Sequence, residues 1–530
     1  MRTQLSLVLL PEEAADESRQ LQLAAQKLSI PKSRIKSLRL LKRSIDARGR
    51  QVRYHLTVEV FIDEFPLPTH PSKNNYAFNR DVSSSTPVLI AGFGPAGMFA
   101  ALKLIECGLK PVIIERGKDV RQRRRDLAAI NKLGKMNGDS NYCYGEGGAG
   151  TYSDGKLYTR SNKRGNIQRI LDILMLHGAD SDIRVNAHPH IGTNKLPVIV
   201  EAIRRTILNA GGEIYFNTRL EDLIITDHTI VGVKTFNLDT KQDTEIKASN
   251  LILATGHSAR NIYEMLYRNN ISIDAKPFAL GVRIEHDQSI IDTLQYHCDT
   301  RGDFLPPASY SLKHQFNGRG IYSFCMCPGG IIAPAATAEG EIVVNGWSPS
   351  RRNNPFANSG IVVEVTSEDF KKYKSMGPLA GLAYQHEVEQ KAFAAGRGNL
   401  KAPAQRMIDF IEGRISATLP PCSYLPGVTS CDLDGVLPAE VSSALKNAFI
   451  AFGRKMKSYY TNDAILVGVE SRTSSPVRIP RNPQTLMHPE ITGLFPCGEG
   501  AGYAGGIVSA AMDGERIAEE VVQFVNSGKY

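Results

Sequence analysis

Residues 88–115 read VLIAGFGPAGMFAALKLIECGLKPVIIE, and this stretch decides the fold. The apolar run at 88–93 predicts a buried strand, and residues 111–115 predict a second one. Between them, residues 95–108 predict a helix that Gly108 closes. Because short connections join strand, helix and strand, the stretch predicts a βαβ unit and hence a parallel sheet in an α/β fold.

The turn between the first strand and the helix carries the pattern G-x-G-x-x-G at Gly92, Gly94 and Gly97, with Pro95 and Ala96 inside it. The first glycine permits a tight turn, the second lets the backbone approach a pyrophosphate, and the third lets the helix pack on the sheet. The helix N-terminus then faces the phosphates. The pattern in this context predicts a dinucleotide site that these five residues form.

Glu115 ends the second strand, eighteen residues after Gly97. An acid in this position can accept hydrogen bonds from an adenosine ribose. From the sequence we expect Glu115→Ala to weaken cofactor binding about ten- to a hundredfold without unfolding the sheet. Arg116 follows, and it would face the 2′-phosphate if the ligand were NADP.

Two distant segments indicate that the dinucleotide is FAD. The sequence LILATGHSAR places Thr255 and Gly256 at a strand end, which resembles the second fingerprint of two-dinucleotide-binding flavoproteins. Residues 493–521 predict a strand, a polar turn and a long helix whose first N–H groups face the flavin. In this segment an acid stands where such flavoproteins usually carry Asp against the ribityl chain. The residues of the segment that we expect at the cofactor are Gly498, Glu499, Gly505, Gly506 and Ile507.

The glycine-rich stretch GEGGAGTYSDGKL, residues 145–157, falls one residue short of a P-loop, because Leu157 has no hydroxyl for Mg²⁺. A flexible linker is a second alternative, but linkers do not usually interleave tyrosines with glycines. The stretch instead predicts a backbone surface held close to a flat or anionic ligand. We expect four of its residues to contact FAD, namely Gly148, Gly150, Ser153 and Asp154.

Length and composition predict a soluble globular protein of several domains. The 530 residues are 42% hydrophobic and 22% charged, and no apolar run approaches the ~18 residues of a membrane helix. The N-terminal MRTQLSLVLLPEEAADES has a short apolar run followed by acids, which argues against a signal peptide. We therefore expect a cytoplasmic protein without a membrane partner.

The cysteine pattern predicts reduced thiols and no metal site. Eight cysteines are too few for a disulfide framework in a chain of this length. Only Cys325 and Cys327 lie close in sequence, and C-x-C matches neither the redox spacing C-x-x-C nor a zinc site.

The domain organisation follows from shifts in the pattern along the chain. Residues 1–65 predict a small ferredoxin-like βαββ domain, and a Pro/Asn/Ser-rich stretch at 66–87 predicts a linker. The FAD-binding Rossmann-like domain is predicted at 88–274 and 465–530. An inserted α+β substrate domain is predicted at 275–464.

Motifs spread over nearly the whole chain resemble a family of FAD-dependent dehydrogenases of uncertain substrate. The most specific of them is SNYCYGEGGAGTYSDGKLYTR, residues 140–160. Further matches are LKRSIDAR, HPHIGTNKL, ATGHSAR, KPFALGVRIEH, FCMCPGG, NGWSPSRR and VGVESRTSSPVRI. The resemblance implies FAD, the two-dinucleotide-binding fold and an N-terminal ferredoxin-like domain, and it implies no particular reaction.

Four side chains are candidates for the chemistry. Lys156 is the candidate cation near the flavin or substrate, with a surface lysine as the alternative. His190 is a candidate proton donor or a capping histidine, and Arg472 binds an acidic substrate or FAD, or forms a structural ion pair. Cys327 is a weaker candidate for a thiol contact to the flavin. The sequence carries no second G-x-G-x-x-G after a strand, so NAD(P)H is expected only as a transient co-substrate.

These observations predict an FAD-dependent oxidoreductase that acts on an unidentified small molecule. One alternative is an RNA-binding or RNA-modifying flavoprotein, because nine Lys or Arg stand against one Asp from Lys32 to Arg53 and the net charge is +9. A non-catalytic flavoprotein is the other alternative. The sequence leaves the substrate, the direction of electron flow and the oligomeric state open.

Overall fold

The structure is a computed structural model that describes residues 1–66, 76–159 and 165–528. Residues 67–75, which form part of the predicted linker, lie outside the described residues. The strands are numbered in chain order as follows: β1 (Arg2–Leu9), β2 (Ile35–Asp46), β3 (Arg53–Ile62), β4 (Pro87–Ala91), β5 (Lys110–Ile114), β6 (Glu213–Tyr215), β7 (Thr218–Thr226), β8 (Thr229–Asn237), β9 (Gln242–Lys247), β10 (Leu251–Leu253), β11 (Asp274–Ala275), β12 (Phe278–Asp287), β13 (Lys313–Phe316), β14 (Arg319–Cys327), β15 (Ile331–Pro334), β16 (Val344–Trp347), β17 (Phe356–Val365), β18 (Ala402–Arg406), β19 (Val428–Ser430), β20 (Ile465–Glu470), β21 (Val477–Arg478) and β22 (Leu494–Pro496).

The α-helices are numbered in the same way: α1 (Pro11–Ala15), α2 (Glu17–Leu28), α3 (Pro95–Glu106), α4 (Val120–Leu133), α5 (Ile167–Leu176), α6 (Asp182–Val185), α7 (Leu196–Asn209), α8 (Arg260–Arg268), α9 (Gln288–Tyr296), α10 (Ala380–Ala395), α11 (Met407–Glu412), α12 (Ala439–Lys455) and α13 (Ile507–Asn526). Within the described ranges, no helix combines the length and the apolar character that crossing a membrane requires.

The N-terminal sheet is antiparallel, with β3 between β1 and β2. Alternate residues of β3, including Leu56, Val58 and Val60, are buried, as expected for a strand with one face in a core. Asp16 separates α1 from α2 because its carboxylate accepts hydrogen bonds from the first N–H groups of α2. The strand order and the helices between β1 and β2 confirm the predicted βαββ arrangement of a ferredoxin-like domain.

A parallel sheet occupies the middle of the fold, in the order β22-β10-β4-β5-β6. Its strands come from positions as far apart as residues 87 and 496, and their carboxyl ends meet at one edge. Helices α3 and α13 pack against each other in the core beside this sheet. The topology confirms the predicted α/β, Rossmann-like class. A small antiparallel sheet of β7, β8 and β9 follows β6 along the chain.

The largest sheet, in the order β13-β14-β17-β12-β20-β18-β19, belongs to the second half of the chain. Strand β12 is buried along almost its whole length, because β17 and β20 flank it and helices cover the sheet. Strand β20, residues 465–470, lies inside this sheet between β12 and β18. The boundary that the sequence predicted at residue 464 therefore falls just before a strand of the inserted unit. The apolar run of β20 is equally typical of a buried parallel strand and a buried antiparallel one.

The contact between α3 and the first turn depends on Gly97. A Cβ atom at this position would lie 2.0 Å from the carbonyl oxygen of Gly92, which is backbone and cannot rotate away. The third glycine of the pattern is thus required by packing, as the sequence predicted.

We expect Gly97→Ala to lower the free energy of unfolding by about 1–3 kcal/mol or more, because the methyl group forces the helix away from the turn. Gly435→Ala is the matched control, since a Cβ there meets no atom of the described residues within 4 Å. Denaturant titration of both variants without added cofactor measures the difference. Equal stabilities would contradict the close helix–turn contact.

Candidate functional site

A cavity of about 450 Å³ lies at the carboxyl edge of the parallel sheet. Ala91, Ile114, Ala254 and Cys497 line it, and each stands at or directly after the end of a strand. Open α/β sheets bind their ligands at this edge. The cavity therefore lies where the topology places a ligand site.

Most of the residues that the sequence predicted for the site line this one cavity. They are Gly92, Gly94, Pro95, Ala96, Glu115, Arg116, Gly148, Gly150, Ser153, Asp154, Lys156, Thr255, Gly256, Arg472, Glu499, Gly505, Gly506 and Ile507. Gly97, Gly498 and His190 are not in the lining. Gly97 packs behind the turn, and the Gly498 N–H donates to Asp513 Oδ2 at 2.8 Å.

Two helices begin at the cavity with glycine caps. Gly94 precedes α3 and Gly506 precedes α13, and no side chain of the described residues caps either helix. Unpaired N–H groups at a helix start attract anions, because they carry the positive end of the helix dipole. At Gly94 a Cβ would have only one neighbour, Gly148 Cα at 3.8 Å, so the protein itself leaves room there.

The Glu115 carboxylate accepts hydrogen bonds from the backbone N–H groups of Phe93, Gly117 and Gly145, each at 2.9 Å. Its side chain is 5% exposed and lines the cavity. The acid therefore joins the turn after β4, the turn after β5 and the glycine-rich stretch. This structural role was not expected from the sequence, which predicted that Glu115→Ala would affect the ligand alone.

Arg116 extends along the same side of the cavity. Its guanidinium pairs with Asp139 at 2.7 Å, donates to Asn261 and lies 4.0 Å from the centre of the Tyr144 ring. The planar group is thus fixed in place rather than free in solvent.

Residues of the glycine-rich stretch 145–157 line the cavity. Buried Arg123 from α4 supports them, since its guanidinium donates to the carbonyl oxygens of Asn141, Tyr142 and Glu146. Gly150 packs between the starts of α3 and α13, because a Cβ there would lie 3.3 Å from Pro95 and 3.4 Å from Ile507. The stretch therefore lies across both helix N-termini.

Asp154 and Lys156 follow on this surface. Asp154 is 1% exposed, and its Oδ2 lies 3.1 Å from the Arg352 guanidinium and 3.9 Å from Lys156 Nζ. Lys156 also donates to the carbonyl oxygen of Met326, and its Nζ lies 3.8 Å from Cys325 Sγ. Lys156 thus reaches from the Rossmann-like half to the large sheet.

Glu499 and His257 form a bridge beside α13. Glu499 accepts a hydrogen bond from Gly506 N, and its other oxygen lies 3.1 Å from His257 Nδ1. His257 Nε2 lies 3.1 Å from the carbonyl oxygen of Arg472. Although burial opposes it, the contact with His257 lowers the pKa of Glu499.

Arg472 lies in a buried ion-pair network. Its guanidinium binds Glu389 and Glu341, and Arg260 binds the same two acids. Although burial opposes it, the two guanidiniums lower the pKa of Glu389 to about 2. With His386 these acids lie close enough to hold a metal ion. The two arginines already neutralise the two carboxylates, however, so the cluster is a salt-bridge network, in agreement with the ion-pair alternative for Arg472.

His190 lies outside the cavity lining, with its Nε2 3.2 Å from the carbonyl oxygen of Ser350. Burial, and then the nearby charge of Arg352, lower the pKa of His190 to about 4. A neutral imidazole that is hydrogen-bonded to a carbonyl oxygen fits the alternative of a capping histidine. It does not fit a proton donor, whose pKa should lie near neutral pH.

Sequence reasoning missed several residues of the site. His257 stands directly after Gly256, and that position was the signal that would have identified it. Cys325, rather than Cys327, lines the cavity, while Cys327 is fully buried. The lining from the second half of the chain also includes Phe324 of β14, Asn345 of β16 and Thr473 after β20, and no local pattern distinguishes these residues.

Comparison with known proteins places the chain in a family. A family model described as "FAD-dependent protein, C-terminal domain-like" matches residues 277–473, and a domain of unknown function matches residues 1–61. A protein of Clostridium beijerinckii, named "Uncharacterized protein", is 42% identical over 515 residues, which are 94% of this chain and 94% of that protein. The chain belongs to this family of FAD-dependent proteins. The family membership that the motifs indicated is thereby confirmed.

Solved structures of other proteins are similar to this chain at low identity. An E. coli quinol fumarate reductase is 14% identical, with 84% of this chain and 71% of that chain covered and a TM-score of 0.36. A glycerol-3-phosphate dehydrogenase from Bacillus halodurans complexed with FAD is 12% identical, with 87% and 68% covered and a TM-score of 0.32. These similarities are too distant to carry an argument about the site.

We expect Glu115→Ala to lower the free energy of unfolding without FAD by about 2–4 kcal/mol, because three buried N–H groups lose their acceptor. FAD affinity should fall as well, by about ten- to a hundredfold. Denaturant titration and FAD titration measure the two effects separately. Exposed Glu245 supplies the control variant Glu245→Ala. Unchanged stability of Glu115→Ala would show that the three hydrogen bonds do not form.

The His190 ring should titrate near pH 4 in the folded protein. An unfolded histidine titrates near 6.5, so between about 6.5 and 4 the unfolded chain binds more protons. The contribution of His190 to stability is therefore complete above this window and is lost as the pH falls through it. NMR titration of the ring checks the value, and His190→Asn should flatten the pH dependence of unfolding there. A ring pKa between 6 and 8 would restore the proton-donor hypothesis.

Proposed function

We propose that this protein is an FAD-dependent oxidoreductase that acts on a small molecule in the cavity at the sheet edge. One observation carries the proposal: both fingerprints, the C-terminal helix start, the glycine-rich stretch and Lys156 line a single cavity. A packing role can explain each feature alone, but it does not explain why all of them meet at one ligand edge.

The residues of the cavity fit FAD. The uncapped start of α3 at Gly94 would hold the pyrophosphate, and the start of α13 at Gly506 would face the flavin end. Glu115 and Arg116 lie where a Rossmann-like fold receives the adenosine. Glu499 would face the chain that connects the flavin to the phosphates.

The flavin supplies the two-electron redox chemistry, and the protein orients it and sets the charge around it. Lys156 provides a cation at the boundary between the two halves of the cavity. Asp154 and the carbonyl of Met326 hold its ammonium group in position. A fixed positive charge there would stabilise negative charge that develops on a reduced cofactor or on the substrate.

The substrate would meet the flavin at the wall that residues of the second half of the chain contribute. Phe324, Asn345 and Thr473 stand on this wall and offer one aromatic face and two polar groups. Such a mixture suits a small organic molecule that is oriented by few hydrogen bonds. In this proposal NAD(P)H, where it takes part, docks only transiently as a co-substrate, and the electrons otherwise come from the substrate itself.

The structure does not favour the RNA alternative. Several basic residues of the N-terminal domain pair with carboxylates, as in Arg34–Asp63, Arg39–Glu59, Arg43–Asp182 and Arg48–Asp46. Arg43 also donates to Asn186, which attaches this domain to the helical region at α6. Cations neutralised by carboxylates displace fewer counterions from a phosphate backbone.

Gly94→Ala separates ligand binding from folding. Because the protein has room for a methyl group at Gly94, we expect stability without FAD within about 0.5 kcal/mol of wild type. The methyl group would occupy the space through which the pyrophosphate approaches, so FAD affinity should fall about tenfold or more. Flavin absorbance after purification and titration of FAD into flavin-free protein measure the effect.

Gly97→Ala is the companion variant, since its methyl group meets backbone and should reduce stability itself. A wild-type protein that binds no FAD, or a Gly94→Ala variant with wild-type affinity, would contradict the cofactor site. For the enzymatic part, bound flavin should be reduced by a donor in a metabolite screen faster than free flavin. Equal rates for bound and free flavin would favour the non-catalytic alternative.

A further inference from the structure

We propose that Cys325 is a reactive thiolate of the cavity wall, paired with Lys156 and directed toward the proposed flavin and substrate. The inference rests on the proposed function for the identity of the ligand that the thiolate faces. The assignment of the thiolate depends only on residues of this chain.

A break in the ladder between β14 and β17 directs Cys325 into the cavity. Phe324 pairs with Gly360 and Cys327 pairs with Asn358, so two residues of β14 lie between paired positions where β17 has one. Cys325 has a φ of +46°, a backbone angle that a residue other than glycine adopts only when its surroundings impose it. Such bulges re-aim a side chain, and here Cys325 lines the cavity while Cys327 is fully buried.

Buried Arg283 imposes this geometry from β12. Its Nη2 donates to the Cys325 carbonyl oxygen at 2.6 Å, and its Nη1 pairs with Glu470 at 2.7 Å. Its Nε donates to Asn358, the residue that pairs with Cys327. One guanidinium thus fixes both strands around the bulge.

The groups around Cys325 come from three elements. Lys156 Nζ, on the glycine-rich stretch, lies 3.8 Å from the Cys325 sulfur. Arg283 on β12 donates to the Cys325 carbonyl oxygen, and its Nη2 also lies 3.6 Å from the Cys327 sulfur. The Cys327 thiol, on the same strand, donates to the Cys325 carbonyl oxygen at 3.2 Å and so holds the backbone of Cys325. Two acids complete the set: Asp154 lies 3.9 Å from Lys156 Nζ, and Glu470 pairs with Arg283.

The negative charges of Glu470 and Asp154 are balanced by nearby opposite charges more fully than the positive charge of Lys156 is. Glu470 is paired with Arg283 and Asp154 with Arg352, while Lys156 shares only the more distant oxygen contact with Asp154. A negative sulfur beside Lys156 therefore completes the local charge balance. The hydrogen bond from Cys327 first, and then Lys156 and Arg283, lower the pKa of Cys325 well below its ordinary value, and burial raises that of Cys327.

A thiolate is the nucleophilic form of cysteine, whereas the buried neutral thiol of Cys327 is inert. Placed on the wall where the substrate would bind, it presents a negatively charged, nucleophilic sulfur to the ligand and to the oxidised flavin. This role differs from that of Lys156, which provides charge but no nucleophile.

The test is alkylation of the full-length protein, as purified, with iodoacetamide from pH 5 to 10. In this reaction a sulfur–carbon bond forms, the carbon–iodine bond breaks and iodide leaves. Mass spectrometry of the Cys325 peptide follows the rate, and the Cys298 peptide in the same sample provides an internal reference. We expect the midpoint of the Cys325 rate profile to lie at least one pH unit below the value of about 8.5 for a free thiol.

Lys156→Met should raise this midpoint and reduce the rate at pH 7 about tenfold, and Lys156→Arg should restore most of it. The exposed residue Lys132 gives the control Lys132→Met, which should leave the profile unchanged. A midpoint near 8.5 in wild type, or one that Lys156→Met does not move in a protein with native circular dichroism, overturns the proposal. A low midpoint in a protein that binds no FAD would refute the proposed function and leave the thiolate assigned.

Discussion

The carboxylate of Glu115 holds together three backbone segments that lie far apart in the sequence. Its hydrogen bonds join the turn after β4, the turn after β5 and the glycine-rich stretch at Gly145. Removing a carboxylate from water is unfavourable unless donors replace the water, and three N–H groups do so here. The position of the glycine-rich stretch over both helix starts depends on this one acid. The Glu115 carboxylate thus lines the cavity and also holds together the backbone segments that form it.

The opposite wall depends on buried arginines. Arg283 pairs with Glu470 inside the large sheet, and Arg472 pairs with Glu341 and Glu389 beside it. A buried ion pair contributes little net stability, yet it costs several kcal/mol to break, on the order of 3–5. Such pairs therefore fix geometry more than they add stability. Arg283 fixes the bulge at Cys325, and the carbonyl oxygen of Arg472 lies within hydrogen-bond distance of His257 Nε2. Arg283 and Arg472 therefore join the two halves of the cavity.

The part of the fold that follows from local pattern was predictable, and the part that follows from distant pairing was not. Gly92, Gly94 and Gly97 sit in a strand–turn–helix context that the sequence shows directly. The bulge at Cys325 is invisible there, because strand alternation places residues 325 and 327 on one face and so cannot distinguish the cysteine that lines the cavity from the buried one. The three N–H donors of Glu115 and the acids around Arg472 come from segments separated by up to 131 residues, as in the bond from Arg472 to Glu341. Only the folded chain brings them together.

The charges that line the cavity favour an anionic ligand, although three acids stand among them. Glu115 is occupied by N–H groups, Asp154 by Arg352, and Glu499 by Gly506 and His257. Each of these acids thus already has partners within the protein. No side chain of the described residues caps either helix start, so the potential that a ligand meets there is positive where phosphates would lie. A dinucleotide with a charged middle and two flat ends matches this distribution better than a neutral ligand of the same size, because its charge falls where the protein has left donors unpaired.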